Sequence, residues 1–177
     1  MASKPHNILD LSDLAFLLVE DNPNMRSLIK EFLRCFGGRK FLEAEEGADG
    51  LGLLEHKAVD IVITNWEMRP IDGLELVRLI RRQPVAEKRS VPVIMASGYS
   101  TPSNVRLARD QGVTEFLTKP ISARELYKRI ENVILRPRPF IRAKNYIGPC
   151  RHRHDDTVYE GPKRRNMDDD LFSATAS

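Results

Sequence analysis

The chain has 177 residues, of which 41% are hydrophobic and 30% are charged. This length allows one ordinary domain with an appendage, and this composition excludes a wholly disordered protein. Residues 1–135 carry 19 basic and 19 acidic side chains, so the formal net charge of +3 comes entirely from residues 136–177. A neutral body with a mildly basic tail argues against a dedicated nucleic-acid-binding protein, whose domain is usually strongly basic.

Five short apolar or β-branched runs alternate with five stretches of helical periodicity. In chain order these are strand 15–19, helix 23–36, strand 40–44, helix 47–57, strand 59–64, helix 73–83, strand 91–96, helix 102–111, strand 114–118 and helix 122–135. Such alternation is typical of a parallel sheet with helices on both faces. We therefore predict a doubly wound α/β fold with five strands and five helices.

The alternating pattern divides the chain into three parts. Residues 1–12 form an N-terminal extension, and residues 13–135 form the domain. Residues 136–177 begin with an Arg-Pro-Arg-Pro linker and continue as an irregular, mostly flexible tail. The tail residues with enough apolar surface to pack back on the domain are Phe140, Ile141, Tyr146 and Ile147.

Hydrophobicity and cysteine content predict a cytoplasmic protein. The longest apolar run near the N-terminus, 14–19, is shorter than a signal-peptide core or a membrane span, so no membrane partner is expected. The chain has only two cysteines, Cys35 and Cys150, which does not suggest a disulfide framework.

Polar side chains stand where four of the predicted strands end. They are Glu20, Asp21, Asn65, Ser97 and Lys119. Because the carboxyl ends of parallel strands meet at one edge of the sheet, we expect these side chains to form one pocket. Carboxylates suit a hard cation such as Mg²⁺, and a lysine with a hydroxyl suits a phosphoryl group.

The strings LLVEDN, DIVITNWEMRPIDG, PVIMASG and FLTKPI resemble, in order and in spacing, four signatures of the response-regulator receiver domain of two-component signalling. The resemblance covers about residues 13–135. It implies a flavodoxin-like fold with strand order 2-1-3-4-5, Mg²⁺ as cofactor, and a histidine kinase or histidine phosphotransfer protein as phosphoryl donor.

The resemblance also implies roles for individual residues. Mg²⁺ would be bound by Glu20, Asp21, residue 65 and the main-chain carbonyl of Glu67. Lys119 and Ser97 would hold phosphoryl oxygens, and Ser97 and Phe116 would act as the switch. The peptide between Lys119 and Pro120 is expected to be cis.

The same resemblance implies an output surface on the fourth helix, the fifth strand and the fifth helix. Its residues in this sequence would be Val105, Arg109, Phe116 and Arg124. A downstream protein, whose identity the sequence does not give, or a second copy of the chain would bind this surface.

Asn65 is the one pocket position that departs from the family pattern. The family has its phosphoacceptor aspartate there, and an amide is a very poor nucleophile at neutral pH. Either the aspartate was replaced by engineering or recent change, or the protein is a natural pseudo-receiver. Retention of the other pocket residues favours the first explanation.

We interpret the chain as a stand-alone response regulator that signals through protein–protein contact. The family catalyses only its own phosphorylation and dephosphorylation, so the chain is not expected to be an enzyme, and Asn65 should abolish even that activity. One alternative is a pseudo-receiver that binds its partner constitutively. A less favoured alternative is a regulator that binds nucleic acid through the basic tail.

Overall fold

The computed structural model describes residues 9–143 and 146–151 and the backbone of residues 170–172. Its elements are β1 (Ala15–Val19), α1 (Pro23–Cys35), β2 (Lys40–Ala44), α2 (Gly47–His56), β3 (Ile61–Asn65), α3 (Gly73–Arg81), α4 (Ala86–Ser90), β4 (Val93–Ser97), α5 (Pro102–Asp110), β5 (Glu115–Thr118), α6 (Ala123–Leu135), β6 (Phe140–Ala143), β7 (Tyr146–Pro149) and β8 (Asp170–Phe172). The five predicted strands and five predicted helices are confirmed, with ends that shift by no more than two residues.

The first five strands form one parallel sheet in the order β2-β1-β3-β4-β5, which confirms the predicted fold. Every residue of β3 and β4 is buried, as expected for strands covered on both faces. On one face, alternate strand residues such as Phe16 and Ile63 pack with α1 and α6. On the other face, their neighbours such as Leu17 and Val62 pack with α2, α3 and α5.

Two features differ from the predicted architecture. A sixth helix, α4, lies between α3 and β4, and at five residues it is too short to show a helical period in the sequence. The tail is not irregular throughout, because β6 and β7 form an antiparallel hairpin and β8 pairs with the other edge of β6. The predicted flexibility of residues 152–169 and 173–177 lies outside the described residues.

A buried arginine connects this hairpin to the domain. Arg81 is 3% exposed, and its guanidinium donates hydrogen bonds to the carbonyls of Gly112, Arg89 and Val91 at 2.7 to 3.0 Å. Burial lowers the pKa of Arg81 to about 10. The Phe140 ring lies 5.4 Å from the guanidinium carbon, so the first hairpin strand covers this cation.

Close backbone packing fixes the second hairpin strand at the amino end of β5. A Cβ atom at Gly148 would lie 2.9 Å from the Cα atom of Gly112, a contact that leaves no room for a side chain. Gly112 also has a φ of 97°, which favours glycine. Beyond the strand, Arg151 lies 3.5 Å from Asp110. The hairpin therefore packs against the amino-terminal edge of the sheet.

Three further predictions concern the boundary at residue 12, the two cysteines and membrane-spanning helices. Leu11, which the sequence assigns to the N-terminal extension, is fully buried, while the boundary at residue 12 stays a prediction. No disulfide bond joins the two described cysteines, Cys35 and Cys150. Among the helices of residues 9–143, none combines the length and the apolar content that crossing a membrane requires.

We expect deletion of residues 137–177 to lower the melting temperature by about 4–8 °C, because it removes the cover of Arg81 at a cost of about 2 kcal/mol. Deletion of residues 152–177 keeps the hairpin and removes, of the described elements, only the three-residue strand β8, so it should cost less than about 2 °C. Thermal unfolding followed by circular dichroism measures both. Equal melting temperatures for the two truncated chains would contradict the contribution of the hairpin.

Candidate functional site

All five predicted pocket residues meet at the carboxyl edge of the sheet. Glu20 and Asp21 follow β1, Asn65 ends β3, Ser97 ends β4 and Lys119 follows β5. The strand order reverses between β1 and β3, and ligands of open α/β sheets bind at such a point. The peptide between Lys119 and its following proline is cis, as the resemblance implied.

The amide nitrogen of Asn65 is the centre of the pocket. It donates hydrogen bonds to Glu20 Oε1 at 3.2 Å, to Asp21 Oδ1 at 3.1 Å and to the main-chain carbonyl of Glu67 at 2.8 Å. These three oxygens belong to the residues that the resemblance assigned to Mg²⁺. The neutral amide therefore stands where the oxygens that the resemblance assigned to Mg²⁺ converge.

Lys119 fixes the orientation of that amide. Its ammonium donates to Asn65 Oδ1 at 3.0 Å and to Glu20 Oε2 at 2.9 Å. With the opposite amide orientation, the NH₂ group of Asn65 would face the ammonium and its carbonyl oxygen would face three acceptors. The hydrogen-bond partners thus permit one orientation only.

Glu20 is the buried charge of the pocket, with 2% of its surface exposed. Burial raises the pKa of this carboxyl above its ordinary value, and the hydrogen bond and charge of Lys119 oppose that rise. Asp21 is exposed, so its carboxylate keeps solvent on one side. The two acidic residues, although adjacent in sequence, have different electrostatic environments.

The loop after β3 is held against the pocket by Gly73. A Cβ atom at this position would lie 2.0 Å from the carbonyl oxygen of Asn65, so no other residue fits without moving the backbone. The Gly73 amide also donates to the carbonyl of Trp66 at 2.9 Å. Asp72 caps α3 by accepting a hydrogen bond from Glu75. This turn sets the position of the Glu67 carbonyl beside Asn65.

The oxygen atoms around Asn65 suit a hard cation, but only two of them belong to carboxylates. Within the described part of the chain, no three side chains of His, Cys, Asp or Glu come together as a metal cluster. The pocket offers two carboxylates, from Glu20 and Asp21, and one main-chain carbonyl. Oxygen donors of this kind suit Mg²⁺, which would have to displace the Asn65 amide.

Ser97 has a partner that the sequence did not reveal. Its hydroxyl donates to Glu67 Oε1 at 2.6 Å and accepts a hydrogen bond from the Tyr99 amide at 2.9 Å. The resemblance assigned only the main-chain carbonyl of Glu67 to the pocket. The Glu67 side chain also belongs to the site, because it accepts the hydrogen bond of the Ser97 hydroxyl, the group predicted to hold a phosphoryl oxygen.

Phe116 connects the pocket to the predicted output surface. Its half-buried ring contacts the ring of Trp66, the residue after Asn65, edge to face at a centroid distance of 6.2 Å. Phe116, Val105 and Arg109 line one groove of about 530 Å³ beside β5, called the β5 groove below. Arg124 is not among the described residues that line it. The switch and binding roles of these residues stay predictions.

We predict that the stability of the folded chain declines as the pH rises from 4.5 through the raised pKa of Glu20. Over this range the folded chain holds a proton that the unfolded chain releases, so ionisation favours unfolding. Glu20→Gln should remove this part of the pH dependence, measured by urea unfolding in EDTA.

Glu43→Gln is the control for this experiment. The hydrogen bond from Lys30 lowers the pKa of Glu43, so its contribution to stability is present above 4.5 and lost as the pH falls through the lowered pKa. The control should therefore lose stability at neutral pH. Parallel pH curves for Glu20→Gln and the parent chain would refute the effect of burial on Glu20.

Comparison with known proteins identifies the family and agrees with the topology. The family model "Response regulator receiver domain" matches residues 16–131. The chain is 33% identical over 122 residues to the chemotaxis protein CheY homolog of Campylobacter jejuni, an alignment that covers 68% of this chain and 92% of that protein. Residues after the matched region include the whole C-terminal hairpin.

Two solved structures share the fold. Chemotaxis protein CheY4 of Vibrio cholerae superposes with a TM-score of 0.63 at 24% identity, covering 68% of this chain and 99% of that one. The receiver domain of the sensor histidine kinase PA1611 of Pseudomonas aeruginosa superposes with a TM-score of 0.61 at 26% identity, covering 67% of this chain and 95% of that one. That structure holds a magnesium ion in its active site cleft. The chain belongs to the response regulator receiver domain family.

Proposed function

We propose that the chain is a two-component receiver that signals through protein–protein contact and that, with Asn65, it does not accept a phosphoryl group. With aspartate at position 65, the donor would be a histidine kinase or a histidine phosphotransfer protein. The observation that carries this proposal is the Asn65 amide, whose nitrogen and oxygen are both engaged at the centre of the acidic pocket. The proposal places the chain in the cytoplasm.

The chemistry of phosphoryl transfer explains why the amide matters. A receiver of this kind forms an acyl phosphate by attack of a carboxylate oxygen on phosphorus. The Asn65 amide has no anionic oxygen, and its Oδ1 accepts a hydrogen bond from Lys119, which lowers its nucleophilicity further. A cation bound by Glu20 and Asp21 would supply neutralising charge for the transfer. With Asn65 the chain would lose even the self-phosphorylation and dephosphorylation that the family catalyses, so it would not be an enzyme.

Two groups of the pocket would orient the phosphoryl oxygens. The Lys119 ammonium already faces position 65, and the Ser97 hydroxyl would have to leave Glu67 to reach a phosphoryl oxygen. This exchange would free the side chain of Glu67, the residue that follows Trp66, whose ring contacts Phe116. The exchange would thereby link the pocket to α5, β5 and α6, where a downstream protein or a second copy of the chain would bind.

A constitutive binding module is the second candidate. It is favoured by the closure of the network, because both polar atoms of Asn65 have partners without metal or phosphoryl group. Such a chain would present one permanent state of its output surface. The two candidates differ in whether a carboxylate at position 65 restores phosphorylation.

We expect Asn65→Asp to gain an adduct of about 80 Da, one phosphoryl group, when treated with acetyl phosphate and Mg²⁺. Intact-mass spectrometry measures the adduct, and its lability in base identifies an acyl phosphate. Asn132→Asp, the same change on α6, is the matched control and should gain none. An equal base-labile adduct on the parent chain would show that position 65 is not the acceptor. If no chain is modified, the constitutive module replaces our proposal.

We expect Mg²⁺ to bind Asn65→Asp at least about tenfold more tightly than the parent chain, because the third carboxylate adds attraction and removes the amide donor. The fluorescence of Trp66, the residue next to the pocket, reports the titration. The Asp21→Ala variant should bind more weakly than the parent. An unchanged titration after Asp21→Ala would mean that the cation binds elsewhere.

A further inference from the structure

The β5 groove is lined by arginines from three different elements. It lies beside β5, the edge strand of the parallel sheet. Of the described residues that line it, four are arginines: Arg109 from α5, Arg129 from α6, and Arg138 and Arg151 from either side of the hairpin. The hairpin thus contributes half of the guanidinium groups in the groove.

One pair of these arginines shares a single aspartate. Asp110 Oδ1 lies 3.3 Å from a terminal guanidinium nitrogen of Arg109 and 3.5 Å from Arg151 Nε. Arg151 also stacks on the ring of Tyr146 at 4.0 Å, which holds its guanidinium in place. One carboxylate therefore faces two cations at this end of the groove.

The other pair shares a glutamate. Glu115, which is 5% exposed, lies 3.2 Å from Arg129 and 3.6 Å from Arg138. A second carboxylate, Glu125, is 3.8 Å from Arg129, and its side chain is 52% exposed. The Nε atom of Arg129 is buried and finds no hydrogen-bond acceptor within the described part of the chain. Among the described residues, four guanidinium groups thus face three carboxylates, those of Asp110, Glu115 and Glu125.

Apolar surface lies among these charges. Phe116 and Val105 line the same groove, and 37% of the Val105 surface is exposed. A groove with both properties suits a short protein segment that carries carboxylates and at least one apolar side chain. Guanidinium groups bind carboxylates with two parallel hydrogen bonds, and apolar anchors contribute most where water is excluded.

We propose that the β5 groove binds an acidic segment of a partner protein, with its carboxylates on the arginines and an apolar side chain on Phe116. Arg138 and Arg151 lie outside residues 16–131, so half of this charge is not part of the matched family domain. The hairpin thus confers a preference for acidic partners. This inference rests on the proposed function, because it specifies the chemistry of the partner that the function requires.

Duplex nucleic acid fits the groove less well than an acidic peptide. Nucleic-acid surfaces present cations in a continuous array that follows the phosphates. Here Asp110 and Glu115 interleave with the arginines, and the groove of about 530 Å³ is the size of a small-ligand or side-chain site. Carboxylates spaced along a peptide can pair with separate arginines and avoid the two acidic residues.

Fluorescence anisotropy with a labelled peptide of alternating acidic and apolar residues tests the proposal on the full chain. Each of Arg138→Gln and Arg151→Gln should weaken binding about fivefold. Lysine at either position should restore part of the affinity. Arg142→Gln, an exposed change on the same hairpin, is the matched control and should have no effect. If a hairpin variant unfolds, Arg109→Gln on α5 tests the same charge requirement.

Three results would overturn the proposal. The first is equal binding of a peptide in which Asn and Gln replace the acidic residues. The second is an effect of Arg142→Gln as large as that of the groove variants. The third is tighter binding of duplex DNA or tripolyphosphate, through the same arginines, than of the acidic peptide. Because the titration uses the Asn65 chain without phosphodonor, its failure leaves the phosphorylation experiment on Asn65→Asp unaffected.

Discussion

The pocket depends on the burial of the Glu20 carboxylate between an ammonium and an amide. A carboxylate that is 2% exposed loses most of its bound water, so hydrogen bonds from neighbouring groups must replace the hydrogen bonds of that water. Neighbouring strands lie about 4.8 Å apart, and β5 is separated from β1 by β3 and β4. Only a long side chain such as Lys119 can reach Glu20 from that distance, whereas the short Asn65 reaches it from the adjacent strand.

Asn65 changes the electrostatics of the pocket as well as its chemistry. The three charged groups that contact residue 65, Glu20, Asp21 and Lys119, leave one net negative charge around it, and an aspartate at position 65 would leave two. The amide instead provides N–H donors to the same oxygens that a cation would bind. The three oxygens therefore have hydrogen-bond donors in the absence of a metal ion, because the Asn65 amide supplies them.

The pattern of strands and helices was sufficient to predict the parallel sheet and the five side chains at its carboxyl edge, whereas the strand order came from the family resemblance. Strand ends in a parallel sheet converge, so residues far apart in the chain, such as Asn65 and Lys119, can be assigned to one site before their contacts are known. The contact of Ser97 with the Glu67 side chain was not predictable, because it depends on the direction in which a loop side chain points. The hairpin was missed because its few apolar residues show no clear period, and the contacts that hold it, such as that of Phe140 with Arg81, are not visible in the sequence.

The position of the hairpin has a consequence for what can be joined to this chain. Its strands lie against the amino ends of β4 and β5, at the sheet edge opposite the acidic pocket. The main chain therefore leaves Arg151 on the far side of the molecule from Asn65. A protein inserted into the chain directly after Arg151 would leave the pocket open to a phosphodonor and would lie beside the end of the β5 groove that Arg151 lines.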